Sequence, residues 1–271
     1  MGVPGGNFYK NIYIKTNIVE QLERQFASPA WTGDVVNIGS VCDSYQPIEE
    51  QYKIMPEILK VFIKYKNPCI ISTKSKLMLR DFDLIDELSR LAHVNIACTI
   101  TTVDEEVRRK LEPYGATSAK RFEVLKEIKK TKASRGVHIM PILPFITDSA
   151  ENLEGIYAGA REAGVNYVLP GLLNLKGPTK GEFFSFLNKE YPKLMERYAH
   201  FYSKDVPRQE RNEYRAKLYG RIRLFKDKYK LYSNYMDYDG VDHTAEADAK
   251  AAAKGKKNKR PSTDGEQLSI F

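Results

Sequence analysis

Short apolar, β-branched runs alternate with segments of helical periodicity along most of this chain, and this alternation constrains the fold more than any other feature. The runs that indicate strands span residues 34–39, 68–72, 94–100, 137–142 and 167–169. They are continuous in apolar residues, as expected for parallel strands covered on both faces. Strands that alternate with helical patterns predict an α/β fold, either a β/α barrel or a doubly wound sheet.

Other segments add to this repeating pattern. Residues 11–15 alternate between apolar and polar side chains, which is typical of a strand. Residues 18–26 have helical periodicity, and a longer helical pattern runs from about 48 to 66. We therefore expect one strand and one helix before the repeating units begin.

Polar side chains gather where several predicted strands end. The residues concerned are Cys42, Asp43, Thr73, Lys74, Ser75, Thr99, Thr101, Thr102 and Asp148. Because the carboxyl ends of parallel strands lie along one edge of a sheet, where ligands of α/β proteins bind, this grouping indicates a small-ligand site. For the loop 38–49, a well-formed strand-to-helix turn with Pro47 in the first turn of the helix is an equally good interpretation.

Composition narrows the class of protein. The formal charge of +8 and the pI of about 9.1 are consistent with a polyanionic partner. The cysteines, Cys42, Cys69 and Cys98, lie far apart without a CxxC pair, which argues against a structural zinc site and a disulfide framework. No metal ligands are predicted. Without a signal pattern or an apolar run of membrane-spanning length, we expect a cytoplasmic protein with no membrane partner.

Three regions differ in composition. Residues 1–190 contain the strand–helix units, and residues 191–236 form a basic helical stretch with interleaved tyrosines. Such a stretch is either a solvated helical face or a surface that contacts phosphates. Residues 237–271 are rich in alanine, lysine and aspartate, a composition that cannot bury a core and predicts a disordered tail.

Several short segments, taken in order, carry a resemblance to a known family. They are Gly39–Glu49, Thr73–Ser75, Leu79–Asp81, Thr99–Thr102, Lys110–Pro113, Met140–Phe145 and Tyr167–Gly171. Their order and spacing resemble the radical S-adenosylmethionine (SAM) superfamily, in the spore photoproduct lyase-like branch that is also called DNA repair photolyase-like. The resemblance implies a partial (β/α)6 barrel, here with its first strand missing, followed by C-terminal helices.

The chain departs from this family in one large respect. The family's CxxxCxxC motif supplies three thiolates to a 4Fe–4S cluster, and SAM bound there yields a 5′-deoxyadenosyl radical. This sequence has no such motif, so SAM and the cluster are implied by the resemblance, but the cluster is not expected in the chain as given. Either the chain is a fragment, which its glycine-rich start favours, or it is a degenerate relative. Without a first strand, strand 34–39 would be an uncovered apolar edge.

The resemblance implies roles for the loop after strand 34–39. It places Ser40, Cys42 and Asp43 near the bound nucleoside and methionine of the cofactor. Spore photoproduct lyases use a cysteine of this loop as a hydrogen-atom donor. Cys42 lies two positions along from that donor, so the role is not assigned to it, and a small polar residue that contacts the cofactor is the alternative.

The next two strands carry the remaining implied contacts. Lys74, with Ser75 beside it, resembles a lysine that contacts the cofactor, although a surface lysine at a helix start is an equally good interpretation. Thr99 and Thr101 match polar strand positions whose hydroxyls can reach ribose or carboxylate oxygens. Together these residues define a predicted cofactor-binding set.

The last five residues resemble the peptide with which bacterial DNA polymerases and repair proteins bind the sliding clamp. In that resemblance Leu268, Ile270 and Phe271 fill apolar pockets, and the Gln267 amide makes a polar contact. The basic segment before them would act as a flexible tether. A match of five residues also arises by chance.

Three functions follow from these observations. The first is a radical SAM protein of the spore photoproduct lyase type that acts on DNA or a nucleotide lesion, without its cluster segment. The second is a non-catalytic protein that binds DNA and the sliding clamp. The third is an unrelated α/β enzyme with Asp43 and Lys74 as acid and base, which no acid–base arrangement of recognised spacing supports.

Overall fold

The computed structural model describes residues 12–235. Its strands are β1 (Val36–Ile38), β2 (Cys69–Thr73), β3 (Val94–Thr99), β4 (Ser134–Ile142) and β5 (Tyr167–Leu172). They form one parallel sheet in the order β1-β2-β3-β4-β5, so the α/β prediction is confirmed. This order follows the chain without the reversal of strand order that a doubly wound sheet has.

Helices connect the strands and follow the last one. In this part of the chain they are α1 (Ile18–Ala27), α2 (Glu49–Tyr52), α3 (Ile54–Tyr65), α4 (Phe82–Leu91), α5 (Glu105–Leu111), α6 (Ser118–Ile128), α7 (Ala150–Glu162), α8 (Pro178–Glu190), α9 (Met195–Phe201) and α10 (Arg208–Tyr229). Short 3₁₀ segments span Lys76–Asp81 and Pro192–Leu194. The helix predicted over 18–26 is confirmed as α1, which buries Leu22 and Phe26 in the core.

The helical pattern predicted over 48–66 forms two helices, because Lys53 lies between α2 and α3 in a left-handed conformation with φ of 49°. The buried Glu49 carboxylate accepts hydrogen bonds from the backbone N–H groups of Ile54 (3.1 Å) and Met55 (2.9 Å). Carboxylates that bind the free N–H groups of a first turn stabilise a helix start. A side chain of α2 therefore begins α3, while the apolar periodicity continues across the break and hides it.

The strand predicted over residues 11–15 is wrong for residues 12–15, which have no regular secondary structure, and residue 11 lies outside the described part. Ile12 and Tyr13 are 57% and 70% exposed. An alternating segment becomes a strand only where a neighbouring strand satisfies its backbone groups. The edge strand β1 pairs with β2 alone among the described strands, so residues 12–15 lack that neighbour.

The two faces of the sheet differ in character. Alternate strand positions, including Ile38, Ile71, Ile96, Val137 and Val168, join apolar helix residues in the main core. The positions between them lie in register on the opposite side. We call that side the polar face; its residues include Asn37, Ser72, Asn95, Thr99, Ser134, Gly136, His138 and Tyr167. Ile70, Ala97 and Leu169 share this side, but most of its residues are polar or small, which differs from the expectation for continuous apolar strands.

The chain returns to the sheet after β5. Helices α8 and α9 form a smaller aromatic cluster around Tyr198, whereas Leu218 and Ile222 of α10 are buried in the main core. Beyond α10, Tyr232 forms a parallel bridge with Tyr167, and its carbonyl oxygen accepts a hydrogen bond of 3.0 Å from a β5 backbone N–H. One face of the basic helix α10 therefore belongs to the same core as the strands.

Residues 1–11 and 236–271 lie outside the described part of the chain. The predicted tail 237–271 is among them, and so are the clamp-binding-like residues Gln267, Leu268, Ile270 and Phe271. The boundaries between regions 1–190, 191–236 and 237–271, the six-stranded barrel and its missing first strand stay predictions. Within residues 12–235, no helix combines the length and apolar character that crossing a membrane requires.

Candidate functional site

Asp43 ties the loop after β1 to the end of β2. Its Oδ1 atom accepts hydrogen bonds from the Thr73 hydroxyl (2.7 Å) and the Tyr45 backbone N–H (2.9 Å), and its Oδ2 atom accepts one from the Lys74 backbone N–H (2.7 Å). Both carboxylate oxygens therefore have partners. The sequence prediction that Asp43 and Lys74 lie together agrees with this geometry, but Asp43 acts here as a structural link between two loops.

Lys74 and Thr99 are connected through Glu112 and Arg121, two residues that were not predicted as site residues from the sequence. The Lys74 Nζ atom lies 2.7 Å from Glu112 Oε1, and Arg121 forms an ion pair with the other carboxylate oxygen. Arg121 Nη1 donates to the Thr99 carbonyl oxygen at 2.7 Å. Burial raises the pKa of Glu112, but the Lys74 and Arg121 charges and hydrogen bonds outweigh it and hold the pKa below its ordinary value.

We call Lys74, Glu112 and Arg121 the Glu112 triad. Arg121 is 2% exposed, so its charge depends on this carboxylate and on backbone carbonyl oxygens. Glu112 falls within the family-like segment Lys110–Pro113, which was the one available signal for it. Arg121 lies on α6 among ordinary helix residues and has no such signal.

A second network lies on the polar face. The Tyr167 hydroxyl accepts a hydrogen bond from Asn95 Nδ2 (2.8 Å) and lies 3.1 Å from His138 Nε2. Asn95 Oδ1 in turn accepts one from the Ser134 hydroxyl (2.7 Å). Burial lowers the pKa of His138 to about 4 and raises the pKa of Tyr167, so both groups are neutral near pH 7. Gly136 makes room for the ring, because a Cβ atom there would overlap Tyr167.

This network was also missed from the sequence. Its signal is the period-two spacing of small and polar residues, seen at Asn95 and Thr99 on β3 and at Ser134, Gly136 and His138 on β4. Thr99, the last residue of β3, and His138, in the middle of β4, are register partners, and both are half-buried. The polar face thus presents a hydroxyl and a neutral imidazole side by side at its accessible edge.

The remaining predicted residues have local surroundings. The Ser75 hydroxyl accepts a hydrogen bond from Leu77 N–H (3.2 Å) and caps the 3₁₀ segment. Thr101 is buried, and its carbonyl oxygen accepts a hydrogen bond from the side-chain amide of Asn152 on α7 (3.2 Å). Ser40 is exposed and Cys42 half-buried, in the loop beyond β1. The structure therefore links Asp43, Lys74 and Thr99 and leaves the other four predicted residues in separate roles.

The thiols do not form a cluster-binding set. Cys69 and Cys98 are buried on the helix-covered face, where burial raises the pKa of each to about 12, and Cys42 stands apart on its loop. Among residues 12–235, no three side chains of His, Cys, Asp or Glu are grouped so that they could hold a metal ion. Neutral, core-buried thiols are unsuited to bind iron, which requires thiolates.

A cleft of about 490 Å³ opens beside the Glu112 triad. The loops after β1 and β2 form one side, and the turn between α5 and α6 forms the other. The lining residues include Asp43, Gln46, Lys74, Lys76, Tyr114 and Lys120. The cleft therefore lies at the carboxyl-end edge of the sheet, where the sequence predicted a ligand site.

Comparison with known sequences gives relatives of unknown activity. An uncharacterized protein of Mycobacterium tuberculosis is 31% identical over 199 residues, or 73% of this chain, and this chain spans 58% of the length of that relative. An uncharacterized protein of Methanocaldococcus jannaschii is 31% identical over 161 residues, which is 59% of this chain and 58% of the relative. No family model matches the chain.

Comparison with solved structures identifies the fold. A spore photoproduct lyase variant with bound AdoMet and dinucleoside spore photoproduct superposes with a TM-score of 0.56. The match has 11% sequence identity and covers 80% of this chain and 65% of the lyase chain. The α/β fold of this chain is therefore shared with spore photoproduct lyase, in agreement with the resemblance carried by its sequence segments.

Proposed function

We propose that this chain is a radical SAM protein of the spore photoproduct lyase type, in a form without cluster ligands of its own, from a family whose chemistry acts on a lesion in DNA or on a nucleotide. One observation carries the proposal: its fold is shared with a lyase whose structure holds AdoMet and a dinucleoside photoproduct. The sequence segments support it independently, because they stand in family order. In this family the bound cofactor supplies a 5′-deoxyadenosyl radical, and the protein's task is to orient cofactor and substrate.

The polar face suits an adenosyl cofactor. Ser72 and Thr99 are half-buried hydrogen-bonding groups toward the carboxyl ends of β2 and β3, and the half-buried His138 is the register partner of Thr99. Asn37 Oδ1, on the same face, is buried without a hydrogen-bond partner among the described residues. A buried acceptor of this kind favours a donor from a bound molecule. We propose that Thr99, with Ser40 and Cys42 from the loop beyond β1, contacts SAM directly, and that Thr101 shapes the edge behind them.

Asp43, Lys74 and Ser75 have a positioning role in this proposal. Asp43 fixes the loop that carries Ser40 and Cys42 against the end of β2, and Ser75 fixes the segment that follows. Lys74 is neutralised by Glu112 and holds the neighbouring turn in place. Loss of these groups should loosen the edge of the site without removing a direct contact.

The described residues do not fit a 4Fe–4S cluster. Two of the thiols are buried in the core on the helix-covered face, and the third stands alone. The proposal therefore places the cluster thiolates outside these 271 residues. Anaerobic reconstitution with iron and sulfide should leave this chain without a cluster and without SAM cleavage, and a full 4Fe–4S complement would contradict that.

Direct measurement of SAM binding tests the site. Calorimetry should detect binding to the wild-type chain, and Thr99→Val should weaken it several-fold, since a lost hydrogen bond costs about 0.5–1.5 kcal/mol. Thr32→Val, at an exposed position before β1, is the control and should bind as the wild type does. Binding that is absent, or equal in both variants, would refute the proposed site.

The alternative, a non-catalytic protein that binds DNA and the sliding clamp, is supported by exposed arginines on α10 such as Arg208 and Arg223. It requires salt-dependent DNA binding that is indifferent to SAM. It also requires clamp binding that disappears when residues 267–271 are deleted. Clamp affinity unchanged by that deletion would end the clamp proposal.

A further inference from the structure

The turn between α5 and α6, residues 112–116, is held unusually firmly for a surface loop. The guanidinium of Arg108, which is 6% exposed, donates to the carbonyl oxygens of Glu112 (2.7 Å) and Gly115 (3.0 Å). It also donates to the Glu105 carboxylate at 2.6 Å. A buried arginine therefore replaces water as the partner of the turn's backbone.

A second buried arginine holds the other side of the same turn. Arg121 donates to the carbonyl oxygens of Ala116 (3.1 Å) and Thr99 (2.7 Å) and pairs with the Glu112 carboxylate. Lys74, at the end of β2, binds that carboxylate too. The turn is thus fixed to the ends of two strands that border the proposed cofactor site.

The tip of this firmly held turn is an aromatic side chain in solvent. Tyr114 is 98% exposed, while the backbone beneath it is fixed by the two arginines. A single exposed aromatic residue is common on protein surfaces. A rigidly presented one is suited to binding, because little conformational freedom remains to be lost when a partner stacks on the ring.

Charge distinguishes this location from an ordinary surface. Lys76 and Lys120 line the same cleft as Tyr114, and neither amine has an ion-pair or hydrogen-bond partner among residues 12–235. The carboxylates of the cleft, Asp43 and Glu112, are already engaged by internal donors. Two lysine ammonium groups that are unpaired within the described residues attract an anion, and the exposed ring beside them can stack on an aromatic group, so this location suits a partner that is both anionic and aromatic.

We propose that the Tyr114 cleft, formed by Tyr114, Lys76 and Lys120, binds a single-stranded or locally unpaired nucleic-acid segment. Tyr114 stacks on one base, and the two lysines bind phosphates of the same strand. Base–aromatic stacking requires an unstacked base, which a single strand offers and an intact duplex does not, and a cleft of about 490 Å³ accommodates a nucleotide. The inference rests on the proposed function, since it places a nucleotide of the substrate strand next to the cofactor site.

The test is oligonucleotide binding by the full chain without SAM or iron. Its result does not depend on SAM binding, so the nucleic-acid inference can hold even if the cofactor proposal fails. Fluorescence anisotropy would compare single-stranded DNA, single-stranded RNA and duplex DNA of one sequence. We expect Tyr114→Ala to weaken single-strand binding roughly tenfold or more and Tyr114→Phe to retain it, because stacking needs only the ring. Tyr13→Ala, at another exposed tyrosine, is the control.

The lysines are tested by the salt dependence of binding. The pair Lys76→Gln and Lys120→Gln should reduce the slope of log affinity against log salt by roughly 0.7 for each lysine. The control pair, Lys66→Gln and Lys132→Gln, is exposed at the opposite edge of the sheet and should leave the slope unchanged. The melting temperature should be unaffected in every variant.

Three results would overturn the inference. One is a Tyr114→Ala variant that binds single strands as tightly as the wild type. Another is an equal loss of slope in the two lysine pairs. The third is preferential duplex binding that is insensitive to Tyr114, which would assign nucleic-acid contact to α10 instead. Tighter binding of either single-stranded DNA or single-stranded RNA supports the inference, and the preference identifies which nucleic acid the cleft binds.

Discussion

Ile96 and Asn95 are neighbours on β3 and both are fully buried, yet they belong to different kinds of structure. Ile96 packs among apolar side chains on the helix-covered face. Asn95 lies on the polar face, where its amide is bonded to the Tyr167 hydroxyl and its carbonyl oxygen to the Ser134 hydroxyl. The same depth of burial therefore serves non-directional packing on one face and directional hydrogen bonding on the other.

The difference predicts how each face responds to change. Apolar packing resists loss of volume, so substitutions on the helix-covered face should change stability and leave ligand binding alone. The polar face holds hydrogen-bonded groups deep inside, among them Asn95 and Tyr167, and half-buried groups, Thr99 and His138, at its edge. Substitutions there should affect ligand binding, and they should affect stability only where a buried partner loses its hydrogen bond.

The largest effect is expected at Ile96. Ile96→Ala removes a fully buried side chain and should lower the free energy of unfolding by about 2–5 kcal/mol, whereas Ile96→Val should lose about 0.5–1.5 kcal/mol. Urea denaturation measures both. At conditions where the variant is folded, SAM binding should match that of the wild type, and a loss as large as that of Thr99→Val would break the division between the faces.

The next largest effect is expected at Gly136. An added Cβ atom would overlap the Tyr167 ring, so Gly136→Ala should destabilise the chain by about 1–3 kcal/mol through overpacking. In a Tyr167→Ala background the overlap with the ring is gone, so adding Gly136→Ala should recover part of the stability that Tyr167→Ala loses. A Gly136→Ala variant as stable as the wild type would show that the polar face is loosely packed.

The strands could be predicted from the sequence because burial requires both the apolar runs in the sequence and the strands that they form. All five strands overlap the predicted apolar runs, since a parallel strand needs an apolar side against its helices, but β4 begins three residues before its run and β5 ends three residues after its run. The runs could not decide between a barrel and a doubly wound sheet, because the side on which each helix crosses is a tertiary property. The break between α2 and α3 could not be predicted either, since it depends on the hydrogen bonds that the Glu49 carboxylate accepts from the backbone of α3.

The candidate site was predictable to the extent that chain topology creates it. Asp43, Lys74 and Thr99 lie near one another in the structure, because the carboxyl ends of parallel strands share one edge. Glu112 and Arg121 join them through side-chain contacts between distant segments, which no local pattern encodes. The position of Asn95 against Tyr167 likewise spans 72 residues of sequence.

A smaller effect is expected at the Tyr167 hydroxyl. Tyr167→Phe keeps the ring but leaves the buried Asn95 amide without its acceptor, so the free energy of unfolding should fall by about 1–2 kcal/mol. Asn95→Ala in the Phe background should cause less further loss than Asn95→Ala in the wild type. A double-mutant cycle with no coupling would show that the hydrogen bond contributes nothing to stability.

The smallest effect concerns His138 and pH. Burial lowers its pKa to about 4 in the folded chain, below the ordinary value near 6.5, so the folded state binds fewer protons than the unfolded state between these values. The contribution of the neutral imidazole is complete above pH 6.5 and is lost as the pH falls toward 4. Because the ring is half-buried and partly screened by water, we expect a change of about 1 kcal/mol or less between pH 7 and 5. His138→Asn should flatten this part of the stability profile, and an unchanged profile would mean that the imidazole is as solvated on the polar face as it is in the unfolded chain.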